Sequence, residues 1–436
     1  MAKPMQFEQL QEELYHEVME NGLNVYVLPK KGFNKTYATF TTRYGSIDNE
    51  FVPLGQNDMK KVPDGIAHFL EHKLFEKEDG DVFQQFSKQG ASSNAFTSFT
   101  RTAYLFSSTS DADQNLETLI DFVQDPYFTE KSVDKEKGII GQEINMYEDN
   151  PDWRLYFGLI SSMYEKHPVK IDIAGTVESI SHITKDLLYE CYHTFYHPSN
   201  MLLFITGPVD PAEVLKQVRD NQQKKTFEKP ELIKRPELSE KREVSKKDEK
   251  LAMNVQSSKC LIGIKAPETG LSGKELLKKE LTANLVLDVL FGKSSDAFQS
   301  MYSSGLIDDT FSYDYTEEES FGFGMIGGDT DQPEELAAKT KEVLFAAREA
   351  GIDEKRLKTA IKKRIGAFLR AANSPEYIAN QFTRYAFNDM NLFDVVPVLE
   401  GIQKKDADEL LQILADEDQL TVFTIVPKDK KTKTAG

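Results

Sequence analysis

The stretch "GIAHFLEHKLFEK", residues 65–77, holds two histidines four residues apart, His68 and His72, with Glu71 between them. On a helix, residues four apart share a face, so both imidazoles can turn toward one ion. Glu71, three after the first histidine, lies beside that face. Its carboxylate can reach a water activated by the ion without taking a coordination position. Zinc suits such a pair, because a catalytic zinc takes three protein ligands, leaves a fourth position for water and brings that water's pKa to about 7. A carboxylate beside the water can accept its proton and pass it on to a leaving amine. With 7 histidines and 71 acidic residues among 436, HxxEH or HxxDH is expected by chance roughly 0.02 times. A pair of structural histidines is the alternative that spacing leaves open.

A third ligand must come from another segment. "KEKGIIGQEINMYEDN" presents Glu136 and Glu143 seven residues apart, two helical turns along one face, while Ile139, Ile140 and Ile144 can pack on a core. Glu143 is the candidate to complete a His-His-Glu set, and Glu136 to orient a histidine from behind. Taken singly, both would read as a solvated helix face.

The elements that must position these residues follow from periodicity. Gly65 to Phe75, preceded by "PDG", reads as a helix; Phe83 to Gln89 continues as helix and Gly90 ends it. "LNVYVLP" from Leu23, "TYATFTTRYGS" from Thr36 and "SNAFTSFTRTAYLFSS" from Ser93 have strand periodicity. Lys131 to Tyr147 is helical, closed by "NPD". Further on, "LAMNVQSSKCLIGIKAP" reads as strands, and "GKELLKKELTANLVLDVLF" and "EKRLKTAIKKRIGAFLRAA" as helices.

The chain also echoes itself. At an offset of 215, "FQQFSKQGASSNAF" from Phe83 falls on "FQSMYSSGLIDDTF" from Phe298, and at a slightly different offset "NPDW" from Asn150 matches "SPEY" from Ser374. Between the halves, residues 222–250 are almost wholly polar and carry two prolines, as an exposed linker does. The expected organisation is an N-terminal catalytic, zinc-binding lobe over 1–221, a linker over 222–250 and a C-terminal non-catalytic homologous lobe over 251–436. All seven histidines precede residue 200, and "HFLEH" falls at the repeat offset on "ANLVL", 283–287, expected to be plain apolar helix. One lobe is expected to carry chemistry and the other only shape.

Composition narrows the function classes. With 39% hydrophobic and 28% charged residues the chain is globular, and 436 residues exceed one ordinary core. A net charge of -18 argues against a nucleic-acid partner, which needs a basic face. Cys191 and Cys260 have no metal or redox spacing around them and are expected as buried free thiols. Apolar runs such as "MLLFITG" from Met201 fall far short of the ~18 residues of a membrane span. The first 22 residues have no apolar signal core, so no membrane association is expected and the cytoplasm is the expected compartment.

"GIAHFLEHKLFE" at 65–76, "GASSNAFTSFTRTAY" at 90–104, "EKGIIGQEINMYEDNPDW" at 136–153 and "YHTFYHPSNMLLFITG" at 192–207 together resemble the inverzincins, the M16 or pitrilysin-like metallopeptidases, along nearly the whole chain. The resemblance implies an α+β fold of two homologous LuxS/MPP-like lobes, each a mixed sheet with helices packed on it, and a zinc endopeptidase site in a closed chamber. By motif position His68, His72 and Glu143 would hold Zn2+, Glu71 would be the general base and Glu136 the supporting carboxylate. A peptide substrate would add as a strand along Ser93, Asn94, Ala95 and Phe96, using main-chain hydrogen bonds that tolerate many sequences.

One departure stands out. The family commonly places an arginine and, seven residues on, a tyrosine in the second lobe, where the tyrosine can stabilise an oxyanion. Here "MYSSGLIDD" offers Tyr302 and Asp309, and an aspartate cannot do that. The resemblance therefore implies a heterodimer with a zinc-free M16-like homologue that supplies the missing pair, a homodimer being the alternative. Two other functions share the fold: a non-catalytic scaffold or assembly subunit, and a maturation protease dedicated to one peptide.

Overall fold

In the computed structural model, which describes residues 4–428 apart from Asp79 and Ser239, the elements follow the periodicity of the sequence closely. The first half opens with strands β1 (Met5–Phe7), β2 (Glu12–Val18), β3 (Asn24–Pro29) and β4 (Thr36–Thr42), then a short ribbon of β5 (Glu50–Phe51) and β6 (Lys60–Lys61). Helix α1 (Ile66–Leu74), the ribbon β7 (Glu76–Lys77) and β8 (Gly80–Asp81), and helix α2 (Val82–Lys88) lead into a hairpin of β9 (Ala91–Thr97) and β10 (Thr102–Ser108). Helices α3 (Ala112–Val123), α4 (Glu130–Asp149), α5 (Pro151–Met163), α6 (Val177–Ser181) and α7 (Lys185–Phe195), strand β11 (Met201–Gly207) and helix α8 (Pro211–Gln222) complete it.

The second half repeats that order. Strands β12 (Asp248–Met253) and β13 (Lys259–Lys265) precede helices α9 (Gly273–Phe291) and α10 (Asp296–Ser303) and a hairpin of β14 (Ser312–Glu317) and β15 (Gly322–Asp329). Helices α11 (Pro333–Ala350), α12 (Glu354–Ala371), α13 (Pro375–Ala386), α14 (Val395–Gly401) and α15 (Lys404–Leu414) follow, and β16 (Leu420–Pro427) ends the described chain. The two main sheets have matching topology, β3-β11-β4-β10-β9 within the first and β12-β16-β13-β15-β14 in the second, with β1 and β2 added to the first. In each, the late strand (β11, β16) runs parallel to one neighbour and antiparallel to the other.

The compact units differ from the contiguous lobes 1–221 and 251–436. Unit 1 comprises Met1–Ile144, Ile171–Glu237 and Arg370–Phe387; unit 2 comprises Asn145–Lys170, Leu238–Leu369 and Asn388–Gly436. In unit 1, α13 lies on β4 and β11, with the Phe382 ring 4.7 Å from that of Phe204 and 4.8 Å from that of Tyr26. Every residue of β4 is buried, because helices cover both faces of this sheet. In unit 2, α5 lies on β13 and β16, and Gly158 admits the Phe423 ring, whose nearest carbon would be 2.2 Å from a Cβ there.

The repeated "NPDW" and "SPEY" are the starts of these two helices. Asn150 Oδ1 accepts from the N–H groups of Asp152 and Trp153, Ser374 Oγ accepts from Tyr377 N–H, and a proline opens each first turn. Caps fix where a helix begins. They carry no information about which sheet it covers, which is why the boundaries read from the sequence were contiguous.

Between Gln222 and Asp248 the described chain has neither helix nor strand, but it is tied down. Its first part joins unit 1: Arg235 Nε donates to Asp48 at 2.5 Å and Lys234 C=O accepts from Val52. Its second part joins unit 2: Glu240 accepts from the backbone N–H groups of Glu165, Lys166 and His167 and from Lys265 Nζ. These bonds hold the Glu240 carboxyl at about 2, although burial alone would raise it.

Candidate metal centre

Helix α1 starts at Gly65, whose φ of +92° and whose position 2.3 Å (as a built Cβ) from the carbonyl oxygen of Ala174 admit only glycine. Ile66, Phe69, Leu70 and Leu74 then bury one face of the helix in unit 1. That packing aims the opposite positions, His68, Glu71 and His72, at α4, which is anchored in turn by Val133, Ile140 and Ile144.

The imidazole rings of His68 and His72 lie 4.6 Å apart between centroids. Glu143 faces both: its Oε1 is 3.8 Å from His68 Nε2 and its Oε2 is 3.6 Å from His72 Nε2. Among the described residues, these three form the one group of potential metal donors, their ligand atoms all within 4.8 Å of one another. Ligand atoms about 2.0–2.1 Å from a tetrahedral zinc are roughly 3.3 Å from each other, so the observed separations need only a small contraction. Two imidazoles and a carboxylate match zinc, whereas calcium or magnesium would call for an all-oxygen shell.

Glu136 stands where the helical spacing put it. His72 Nδ1 and Glu136 Oε1 are 3.1 Å apart, so Nδ1–H donates to the carboxylate and Nε2 keeps its lone pair for an ion. Burial would lower His72, but the bond to Glu136 and the charges of Glu71, Glu143 and Glu136 together raise its pKa. The same negative field favours any cation at Nε2. Burial would raise Glu136, yet its bond to His72, the His72 charge and Lys73 hold it below its ordinary value. Burial and the neighbouring His72 lower His68 to about 4, against the pull of Glu143 and Glu136, so its imidazole is neutral. Nδ1 of His68 is buried with no hydrogen-bond partner, so this ring lacks the carboxylate support that His72 has.

Glu71 is buried beside the donors without being one of them. Its Oε2 accepts a hydrogen bond from Thr97 Oγ1 at 2.6 Å. Burial pushes its carboxyl up to about 7, opposed by that bond and by the charge of His72. A carboxyl held there can take and return a proton near neutral pH. The motif did not disclose Thr97. It ends the strand carrying the candidate peptide-binding residues, and its contact with Glu71 depends on how β9 sits against α1.

Ser93, Asn94, Ala95 and Phe96 lie on β9, the terminal strand of the sheet in unit 1. Ser98 N–H bonds Arg101 C=O at the hairpin, so with the observed register the pairs 96/103 and 94/105 carry the ladder bonds. The backbone groups of Ser93 and Ala95 therefore point to the open side. Among the described residues, only Asn94 Oδ1, 2.9 Å from Ala95 N, occupies that row. Phe96 lies under the Arg101 guanidinium, 5.6 Å from ring centre to Cζ. Tyr302, in unit 2, is 47% exposed and stacked on Phe298, and Asp309 is exposed after α10.

Comparison with known proteins gives the family. Residues 52–177 match the sequence profile described as Insulinase (Peptidase family M16), and residues 182–364 match that of the Peptidase M16 inactive domain. The chain is 67% identical over 428 residues to the Bacillus subtilis protein named as an uncharacterized zinc protease, YmfH, covering 98% of this chain and 100% of that one. It is 40% identical to an M16-like peptidase of Alicyclobacillus acidocaldarius, with a TM-score of 0.92 over 96% of this chain and 99% of that one. Pitrilysin shares the fold at 16% identity, with a TM-score of 0.75 over 98% of this chain and 46% of that one.

Proposed function

The chain belongs to peptidase family M16, and from that membership we propose that it is a zinc-dependent endopeptidase cleaving peptides or unfolded segments inside a closed chamber, as one half of a heterodimer with a zinc-free homologue. The observation that carries the proposal is the convergence of His68, His72 and Glu143 on one point with the buried Glu71 beside it.

Zinc held by these three residues would supply Lewis acidity to a scissile carbonyl and to a water. The other roles belong to the chain's own groups. Glu71 accepts the water's proton at its carboxylate and hands it to the leaving amine; Thr97 keeps that carboxylate oriented. Glu136 fixes the His72 ring and its tautomer. β9 pairs with the substrate through the outward groups of Ser93 and Ala95, while the side chains of Asn94 and Phe96 flank the added strand. An oxyanion donor is the missing part, because Tyr302 and Asp309 stand where the family places its arginine and tyrosine. A second chain bearing that pair completes the site.

The experiment is metal analysis and cleavage of a mixed peptide library by the wild-type chain, by Glu143→Gln and by Glu71→Gln, each with and without the zinc-free homologue. Zinc lost in Glu143→Gln, zinc kept without turnover in Glu71→Gln, and cleavage enhanced by the homologue are expected. Unchanged cleavage in Glu71→Gln would remove the mechanism. A monomeric single chain cleaving as fast as the mixture would remove the heterodimer.

A further inference from the structure

The two sheets end in equivalent edge strands, β9 in unit 1 and β14 in unit 2. The hairpins that precede the next strand match: Ser98 N–H bonds Arg101 C=O in one, and Glu318 N–H bonds Phe321 C=O in the other. Counting back from these bonds, Tyr315 and Glu317 hold the positions of Ala95 and Thr97, with backbone groups turned away from the sheet.

The edge of β14 is occupied by its own unit. Asn284, on α9, donates from Nδ2 to Tyr315 C=O at 2.7 Å and accepts at Oδ1 from Tyr315 N–H at 3.3 Å. One carboxamide thus forms the donor-and-acceptor pair that a residue of an added antiparallel strand would form. Glu280 Oε2, one turn earlier on α9, accepts from Glu317 N–H at 3.2 Å. Asn284 is itself anchored by a bond from Nδ2 to Glu280 C=O at 3.1 Å, and both residues are buried. The stretch "ANLVL", expected from the sequence to be plain apolar helix, therefore contains a polar group with a specific task.

Among the described residues, unit 1 has no such clamp from a helix: at the Tyr315 position the Ala95 N–H meets only Oδ1 of the adjacent Asn94, at 2.9 Å. At the offset of 215, Asn284 corresponds to Phe69, which is fully buried in the core, and Glu280 to Gly65, which has no side chain. Helix α1 begins at Ile66, the equivalent of Leu281, whereas α9 starts eight residues earlier, at Gly273. Those eight residues, about 12 Å of helix, carry Glu280.

We infer that the Asn284 carboxamide, with Glu280, acts as a mimic of a bound strand that closes the β14 edge, so that extended peptides can pair with β9 and not with the second sheet. The part concerning β9 rests on the strand addition proposed above; the closure of β14 does not. Without the clamp, the protein would offer an extended peptide a second edge besides β9, whose Thr97 bonds Glu71, and peptide held on that second edge would be unproductive or would promote strand-to-strand association.

Hydrogen–deuterium exchange on the full chain, read at single residues by fragmentation, tests this. In a Glu71→Gln background, a ten-residue extended peptide that is not turned over should slow exchange across 91–97 and leave 312–317 unchanged. Asn284→Ala should speed exchange of the Tyr315 amide at least tenfold, and Glu280→Ala should do the same for Glu317 alone. Slowing of β14 by the peptide in the Glu71→Gln chain, or unchanged exchange at Tyr315 in Asn284→Ala, overturns the closure. If Asn284→Ala does not fold, the β14 arm of the Glu71→Gln experiment and Glu280→Ala still decide. Failure of the peptide to protect β9 with β14 closed would count against strand addition and leave the clamp intact.

Discussion

Replacing Glu71 with glutamine separates three properties that the site combines. The side chain keeps its shape, and the bond from Thr97 Oγ1, 2.6 Å from Oε2, can still be accepted by the amide oxygen. Because Glu71 is outside the group of His68, His72 and Glu143, zinc content should stay at the wild-type ratio. What is lost is the proton acceptor, so kcat should fall about 10²–10⁴-fold, or roughly 3–5 kcal/mol in the barrier. The metal-free chain gives an independent number. Burial lifts the Glu71 carboxyl from its ordinary 4.5 to about 7. An acid whose folded-state pKa is raised stabilises the fold below its ordinary pKa and loses that contribution as pH rises through the folded value. At about 1.36 kcal/mol per pH unit, ionising Glu71 destabilises the chelator-treated wild type by about 3 kcal/mol at pH 8 and by almost nothing at pH 4.5. Metal-free Glu71→Gln should therefore be the more stable protein at pH 8, with the gap closing toward pH 4.5, as read from urea midpoints after chelation. A gap independent of pH, or no gap at all, would refute the burial argument. Zinc lost along with activity would refute the assignment of roles.

Three further outcomes follow from particular contacts. Glu136→Gln, which exchanges a carboxylate for an amide behind His72, should weaken zinc about 10–100-fold in competition with a chelating dye and leave the fold intact; an unchanged affinity would make Glu136 a bystander. His167, in unit 2, accepts from Val169 N–H at Nδ1 and lies 3.3 Å from Ser320 Oγ at Nε2, and burial lowers its pKa from 6.5 to about 4. A depressed histidine stabilises the fold above pH 6.5 and loses that contribution as pH falls toward 4, so His167→Gln should flatten the pH dependence of stability in that window, followed by the fluorescence of Trp153, the chain's single tryptophan; an equally steep dependence would refute it. Gly158→Ala places a carbon 2.2 Å from the Phe423 ring and should cost about 1–3 kcal/mol by the same fluorescence melt, restored in part by Phe423→Leu; a melt like that of the wild type would show that α5 has room there.

The candidate site was the more legible part of the sequence, because its geometry is set within helices. Residues four apart on α1 and seven apart on α4 must share faces, so spacing offered His68, His72, Glu143 and Glu136 as candidates, and the role of each came from the family resemblance. Thr97 could not, because its contact with Glu71 joins a strand end to a helix and depends on tertiary placement. The fold followed the same division. Helix limits, strands and the internal echo came from local periodicity and capping, whereas the placement of α5 and α13 in the unit formed mainly by the other half of the chain is decided by which sheet offers a matching apolar face. Composition marked the polar connection near the middle but not its anchors, since Arg235 and Glu240 look like other charged residues until Asp48 and Lys265 are found opposite them.

The two units show how one topology can be open in one copy and closed in the other. An edge strand with unpaired backbone groups must meet water, a partner strand or side chains of its own fold. In unit 2 the longer α9 reaches the edge, and a single amide group at Asn284 satisfies both backbone groups of Tyr315. In unit 1 the buried Phe69 stands in the place of Asn284, and the helix begins after Gly65, where any side chain would meet the Ala174 carbonyl, so nothing takes the place of Glu280. The same start leaves His68, Glu71 and His72 on the turns nearest the open strand, and Thr97 ties the two together. The open edge thus comes from two exchanges, Phe69 in the place of Asn284 and Gly65 in the place of Glu280, the second of which also fixes where the metal donors fall.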